Sequence, residues 1–148
     1  LLAQQVSDQR LVQESGEFES LGDAARAAVL RQQLGWFLAE WEAGRVTRAE
    51  AIADDMPAGC PEQLAMRFLL DPTLTLDDLL ARMPERSGAL AYFAAGVRAQ
   101  QAGAIDVANG FFGEALEREP KGPLAEAARA RLSGAGAREQ PPGTGGLP

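Results

Sequence analysis

Residues 89–122 read ALAYFAAGVRAQQAGAIDVANGFFGEALEREPKG, and this stretch decides the fold. It predicts two helices of about fourteen residues each. They join at Gly103, and Pro120 ends the second because its ring clashes with the preceding turn. The second helix carries one apolar stripe at helical spacing, formed by Ile105, Ala108, Phe112, Ala115 and Leu116. The stretch therefore predicts a helical hairpin with a continuous buried face.

Small residues in this hairpin predict a close approach of its two helices. Gly96 and Ala108 leave room for the partner helix, and Ala115 leaves room for the helix that follows. Phe112 is expected to fill the space between the two helices and the next unit. We therefore expect tight packing at these four positions.

The spacing resembles the tetratricopeptide repeat (TPR) family, whose helical hairpin repeats every 34 residues. The 34 residues from Ala89 to Gly122 match the family pattern at six positions: Tyr92, Gly96, Ala108, Phe112, Ala115 and Pro120. The sequence departs from the pattern at Ala95 and Ala99, where the family has leucine and tyrosine. The resemblance implies an all-α fold, a short right-handed solenoid of helical hairpins that binds a protein or peptide in a groove lined by the first helices.

Two further helices are predicted before this hairpin. One covers residues 2–14, and a long one covers residues 23–43 and stops at Gly44. The buried face of the long helix is predicted at Leu30, Leu34, Phe37, Leu38 and Trp41. Trp36 and Trp41 are interpreted as core anchors.

Short helices with capping signals follow the long helix. Thr47–Glu50 and Thr75–Asp78 have the form of capping boxes, and Pro61 is predicted in the first turn of a helix that ends at Leu70. The capped helix, its Met-Pro stop and a following Leu-Ala helix recur with an offset of 26 to 28 residues. This recurrence is typical either of diverged repeats over residues 23–83 or of chance similarity between short helices.

The chain is predicted to form one all-helical domain over residues 1–132, followed by a tail. Residues 123–132 would cap the array, with one apolar and one polar side. The apolar side is formed by Leu124, Ala128 and Leu132, and the polar side by Glu126, Arg129 and Arg131. Residues 133–148 contain three prolines and five glycines, so we expect a disordered C-terminal tail.

Composition excludes several functional classes. With no histidine and one cysteine, the chain has no Ser-His-Asp or Cys-His site and no ordinary zinc site, so we expect no catalytic residue, metal or cofactor. A net charge of −7 argues against a nucleic-acid surface. No apolar run reaches the roughly 20 residues that a membrane helix needs.

The chemically suggestive residues have simpler interpretations. Neighbours on a helix point about 100° apart, so Asp54-Asp55 and Asp77-Asp78 cannot converge on one substrate and are interpreted as surface charge. Cys60 precedes a helix N-terminus, where the pKa of a thiol can fall. With no base or second cysteine near it in the sequence, we expect an inert residue or an N-cap.

The candidate partner-binding residues lie on the first helix of the hairpin. Leu90, Phe93 and Val97 form a bulky face at helical spacing, and Gln100 extends it. The resemblance implies that this face is turned toward a ligand; the alternative is that helix 74–83 covers it. We therefore expect a non-enzymatic adaptor, scaffold or accessory subunit. An accessory domain of an enzyme and a carrier of a small apolar ligand, with a pocket under the tryptophans, are the alternatives.

Composition and the first residues bear on the source and location. Thirteen of the 14 basic residues are arginine, which favours a high-GC bacterial origin. The chain begins at Leu1-Leu2, which fits either a removed N-terminal signal or anchor or a boundary of no biological meaning. Both a cytoplasmic and a membrane-tethered, envelope-facing location stay open.

Overall fold

A computed structural model describes residues 22–139, with side chains as far as Leu132. Within these residues the chain is helical and contains no strand, which confirms the all-α prediction. The helices are α1 (Asp23–Glu42), α2 (Val46–Asp54), α3 (Pro61–Leu70), α4 (Leu76–Arg82), α5 (Gly88–Gln101), α6 (Ile105–Arg118) and α7 (Pro123–Glu139), with a 3₁₀ turn at Glu85–Ser87. The predicted helix over residues 2–14 and residues 140–148 lie outside the described residues.

The chain divides into two compact units, residues 1–52 and residues 53–148. In the first unit α1 ends where the sequence predicts, because Gly44 takes the left-handed conformation (φ +81°) that favours glycine. Leu34, Phe37 and Leu38 are buried as expected. The core assignment of Trp36 is wrong, since 49% of this residue is exposed. Around the helix axis Trp36 lies about 140° from the centre of the buried stripe and so faces away from it.

The predicted capping box at Thr47 is also wrong. Helix α2 begins at Val46, so Thr47 is already inside the helix. The amide of Ala49 donates to the carbonyl of Arg45 (3.1 Å), which places Arg45 at the N-cap position, two residues before the predicted cap.

Helix α5 lies at the centre of the second unit. It packs against α3, α4, α6 and α7, and its residues from Gly88 to Val97 are buried except Tyr92. Alanine and glycine make up most of this segment. Small side chains let several helices approach one central helix closely, which is why so short a unit can build a core around it.

The predicted hairpin of α5 and α6 is present. Gly103 has a φ of +83° in the turn between them, and α6 ends at Arg118, before Pro120. A Cβ atom placed on Gly96 would lie 2.6 Å from Cε1 of Phe112, and Phe112 itself is 0% exposed. The Phe112 ring therefore occupies the space that a side chain at position 96 would need.

Helices α3 and α4 begin at side-chain caps. The amide of Gln63 donates to Sγ of Cys60 (3.4 Å), which makes Cys60 the N-cap of α3. Thr75 and Asp78 form the predicted capping box: the Asp78 amide donates to Thr75 Oγ1 (3.1 Å) and the Thr75 amide to Asp78 Oδ2 (2.9 Å). These bonds satisfy amides that would otherwise lack a helical partner.

Arg98 connects α5 to the C-terminal end of α3. Its guanidinium donates to the carbonyls of Leu74 (2.6 Å), Asp71 (3.0 Å) and Phe68, and it lies 3.4 Å from the centre of the Phe68 ring. Burial lowers the pKa of Arg98, which nevertheless stays charged. A cation at this position complements the negative end of the α3 dipole.

Helix α7 covers one side of the α5–α6 hairpin. Leu124, Ala125 and Ala128 are buried in it, and Leu132 is partly buried, in agreement with the predicted apolar side. The helix continues to Glu139, past the predicted boundary at Ser133. Alanine, arginine and glutamate near its end favour helix, and the first strong stop in the sequence is Pro141.

Candidate functional site

The predicted partner-binding face is not a surface. Leu90, Phe93 and Val97 are 1%, 3% and 0% exposed, and Gln100 is partly buried. A partner cannot reach these three apolar side chains without opening the second unit, so their assignment as partner-binding residues is wrong.

Arg131 on α7 explains part of this burial. Its guanidinium lies 5.7 Å from the centre of the Phe93 ring and donates to Oε1 of Gln100 (2.8 Å). The sequence predicts Arg131 on the polar, outward side of α7, and that prediction is also wrong. A long arginine side chain can cover apolar surface with its stem while its charged end finds an acceptor, so its charge alone does not indicate exposure.

The six residues that carry the family resemblance lie in the α5–α6 hairpin or directly after it. Gly96, Ala108, Phe112 and Ala115 are buried in the hairpin, Tyr92 is partly buried and Pro120 is exposed. Their contacts build the hairpin, and among them only Tyr92 also borders an accessible surface.

The first accessible surface lies on α6. We call it the α6 outer face; it consists of Asp106, Val107, Gly110, Phe111, Glu114 and Glu117. Val107 is 54% exposed, and a Cβ atom placed on Gly110 would meet nothing within 4 Å. A glycine inside a helix costs about 1 kcal/mol relative to alanine. The packing of the described residues gives Gly110 no compensating contact, so this glycine leaves an open place beside an exposed valine.

An aromatic pair borders this face. The rings of Tyr92 and Phe111 are tilted, with centres 6.3 Å apart, and both residues are partly exposed. The Arg118 guanidinium lies 4.7 Å from the centre of the Tyr92 ring and 3.8 Å from a carboxylate oxygen of Glu114. The contacts hold the rings in one arrangement, so the face offers a pre-organised apolar edge with acidic residues beside it.

The second accessible surface lies on α1. We call it the α1 outer face; it consists of six exposed residues, Ala25, Ala28, Gln32, Gly35, Trp36 and Ala39. None of them is charged, and all lie within an arc of about 100° on a helix of 3.6 residues per turn. The buried residues Leu34, Phe37 and Leu38 lie on the opposite side of the same helix.

A shallow depression between α3 and α4 offers little to a ligand. Its volume is about 50 Å³, it is open to solvent, and its lining consists of Leu64, Arg67, Leu74, Asp78, Leu79 and Arg82. Arg67 donates to Oδ1 of Asp54 (2.6 Å), and Asp78 belongs to the capping box. Two of its polar groups are therefore already engaged in holding the fold.

The carboxylates and the thiol have structural roles. Asp54 pairs with Arg67, Asp77 is exposed, and hydrogen bonds from Thr75 lower the pKa of Asp78, so these residues do not form an acid–base pair. Burial raises the pKa of the Cys60 thiol, the opposite of what a reactive thiol requires. The interpretation of Cys60 as an N-cap is confirmed.

Within the described part of the chain, neither a metal-binding cluster nor a membrane-spanning helix is present. Among residues 22–139 there is no group of three or more metal-ligating side chains. None of the helices found there combines the length and the apolar character needed to span a bilayer.

Sequence reasoning missed both accessible surfaces. For α1 a signal was present, because the alanines, Gly35 and Trp36 recur at helical spacing on the side opposite Leu34 and Phe37. For α6 the signal was Gly110, which lies near Val107 on the same helix. The sequence gives a packing reason for Gly96 on the facing helix but none for Gly110. The chain was compared with protein-family models, curated proteins and solved structures, and no match was found in any of them.

Proposed function

We propose that the chain is a non-enzymatic protein-interaction module, an adaptor or accessory subunit of a larger bacterial assembly. It would be built on TPR-like helical hairpins, in which α5 and α6 form one unit and α7 begins the next. The repeat proposal is supported by the fit of Phe112 against Gly96 and by the turn at Gly103. The bacterial source rests on the arginine-rich composition alone.

The α6 outer face carries the functional proposal. Val107 is more than half exposed beside the partly exposed rings of Tyr92 and Phe111, and Gly110 leaves the helix backbone accessible. A few side chains at the centre of a contact contribute most of the binding energy in protein interfaces, and tyrosine is among the residue types enriched there. A protein or peptide that packs on this face would cover apolar area that the described helices leave open.

The test compares two valines of similar exposure. Val107 is 54% exposed on α6, and Val46 is 47% exposed at the start of α2. The full-length chain and its Val107→Asp and Val46→Asp variants would be used as baits in extracts of the source organism. We expect one polypeptide at a stoichiometric ratio with the wild type and with Val46→Asp, and its loss with Val107→Asp.

Two results would contradict the proposal. Failure of every bait to retain a stoichiometric polypeptide would remove the adaptor function. Equal retention by all three baits would leave the adaptor function in place but remove the α6 outer face as its binding surface. Circular dichroism of the variants checks that a loss of binding does not reflect a loss of helix.

A further inference from the structure

Helix α1 carries no charged residue on either of two opposite sides. Leu34, Phe37 and Leu38 are buried on one side, and the α1 outer face is exposed on the other. A helix on the surface of a protein ordinarily carries charged and polar residues on its outer side. In a chain that is 24% charged, six exposed positions with no charge among them need a reason other than solvation.

The shape of this face suits another helix. A Cβ atom placed on Gly35 would meet nothing within 4 Å, and Ala28 and Ala39 lie one or two turns away on the same side. Trp36, 49% exposed, is the one large side chain in the face. Small residues around one tryptophan allow two backbones to approach closely while the ring fills the remaining space.

Charged residues beside the face favour one orientation of a second α1 helix. Arg31 and Glu42 are eleven positions apart in sequence, so they lie on the same flank of the helix, about 20° apart around its axis. A two-fold axis between antiparallel helices brings each flank beside the same flank of its mate. With the axis next to Trp36, Arg31 of each copy lies beside Glu42 of the other.

We infer that the α1 outer face pairs with the same face of a second copy of this chain, as an antiparallel helix pair with Trp36 next to the two-fold axis. The inference goes beyond the adaptor proposal, because it concerns a different helix and a different partner. It gives the exposed tryptophan a partner and gives the absence of charge a reason.

Electrostatics favour a second copy in this orientation. Each chain carries a net charge of −7, so two copies repel over most of their surfaces, and an uncharged face is where they can meet at the least cost. A parallel pair would place this flank beside the opposite flank of the other copy, so Arg31 and Glu42 of different copies would lie on separate sides of the contact. An antiparallel pair places unlike charges together and also opposes the two helix dipoles.

Oligomeric state tests the inference directly. Light scattering after size exclusion, over a range of loading concentrations, should give a mass that rises toward twice 15.7 kDa for the wild type. Trp36→Glu should stay monomeric at every concentration, since it places a charge in the centre of the face. Val46→Glu, at another exposed apolar residue, should dimerise as the wild type does.

Charge exchange tests the orientation. Arg31→Glu and Glu42→Arg, made singly, should each weaken the dimer by about tenfold or more, or about 1.4 kcal/mol. The double variant should recover the wild-type affinity, because each pair is restored with its signs reversed. If Trp36→Glu loses helix by circular dichroism, Ala28→Glu replaces it on the same face.

Three outcomes would overturn the inference. They are a wild-type chain that is monomeric throughout, a dimer that survives both Trp36→Glu and Ala28→Glu, and a double variant no stronger than the single ones. A monomer that still retains its partner through Val107 would leave the adaptor proposal standing, so the two proposals can fail separately.

Discussion

Identical glycine-to-alanine substitutions should have opposite effects at two helical positions. At Gly96 the new Cβ atom would lie 2.6 Å from the Phe112 ring, so the ring or a helix must shift, and we expect a loss of about 1–3 kcal/mol. At Gly35 nothing lies within 4 Å, so Gly35→Ala should gain up to about 1 kcal/mol through helix propensity. Chemical denaturation of both variants measures this; a gain at Gly96 would show that the hairpin is looser than described.

Alanine substitutions at two phenylalanines show whether each side chain lies in the core or lines a groove. Phe93 and Phe112 are 3% and 0% exposed, with ring centres 5.7 Å apart. We therefore expect Phe93→Ala and Phe112→Ala each to cost about 3–5 kcal/mol of unfolding free energy, the range for a deleted buried ring. A loss at Phe93 of less than about 1 kcal/mol, measured by chemical denaturation, would return Phe93 to the surface.

For single helices, alanine substitutions at two threonines compare a residue that caps its helix with one that only appears to do so in the sequence. Thr75→Ala removes the acceptor of the Asp78 amide at the start of α4, and we expect a cost of about 1 kcal/mol. Thr47 lies inside α2, so Thr47→Ala should change stability by less than about half as much. Equal losses in thermal denaturation would mean that Thr47 caps its helix after all.

The sequence predicts individual helices better than the surfaces they leave exposed. The starts of α3 and α4 follow from Pro61 and Thr75, and the end of α1 follows from Gly44, because these signals act within one turn. The burial of Phe93 could not be predicted in the same way. It depends on Arg131, which is 38 positions away in sequence, and on a helix whose polar side appeared to face solvent. Periodicity places a residue on a face of its helix, but the neighbouring helices decide whether that face is covered.

At the scale of the whole molecule, stability between acid and neutral pH should change only on the acid side. Hydrogen bonds from Thr73, Thr75 and Arg45 lower the pKa values of Asp71, Asp78 and Glu40, respectively, in the folded chain. Their contributions are present above the ordinary values of 3.8 and 4.5 and are lost as the pH falls through the lower folded values. With no histidine, we expect a level denaturation midpoint from about pH 6 to pH 8 and a decline below about pH 4.5. A step near neutral pH would contradict this.

The bonds of Arg98 have a consequence for the order of folding events. They join residues 24, 27 and 30 positions apart, so they can form only after α5 has docked, while α3 and its cap at Cys60 need only local chain. Closing the chain over such separations costs entropy before the contacts compensate for it, so we expect the bonds of Arg98 to form late in folding. Arg98→Met should therefore accelerate unfolding and leave the refolding rate nearly unchanged, with a φ-value below about 0.3 in stopped-flow experiments. Slower refolding would instead place Arg98 in the folding nucleus. With the expected result, Arg98 determines how long the folded chain lasts and has little influence on how fast it forms.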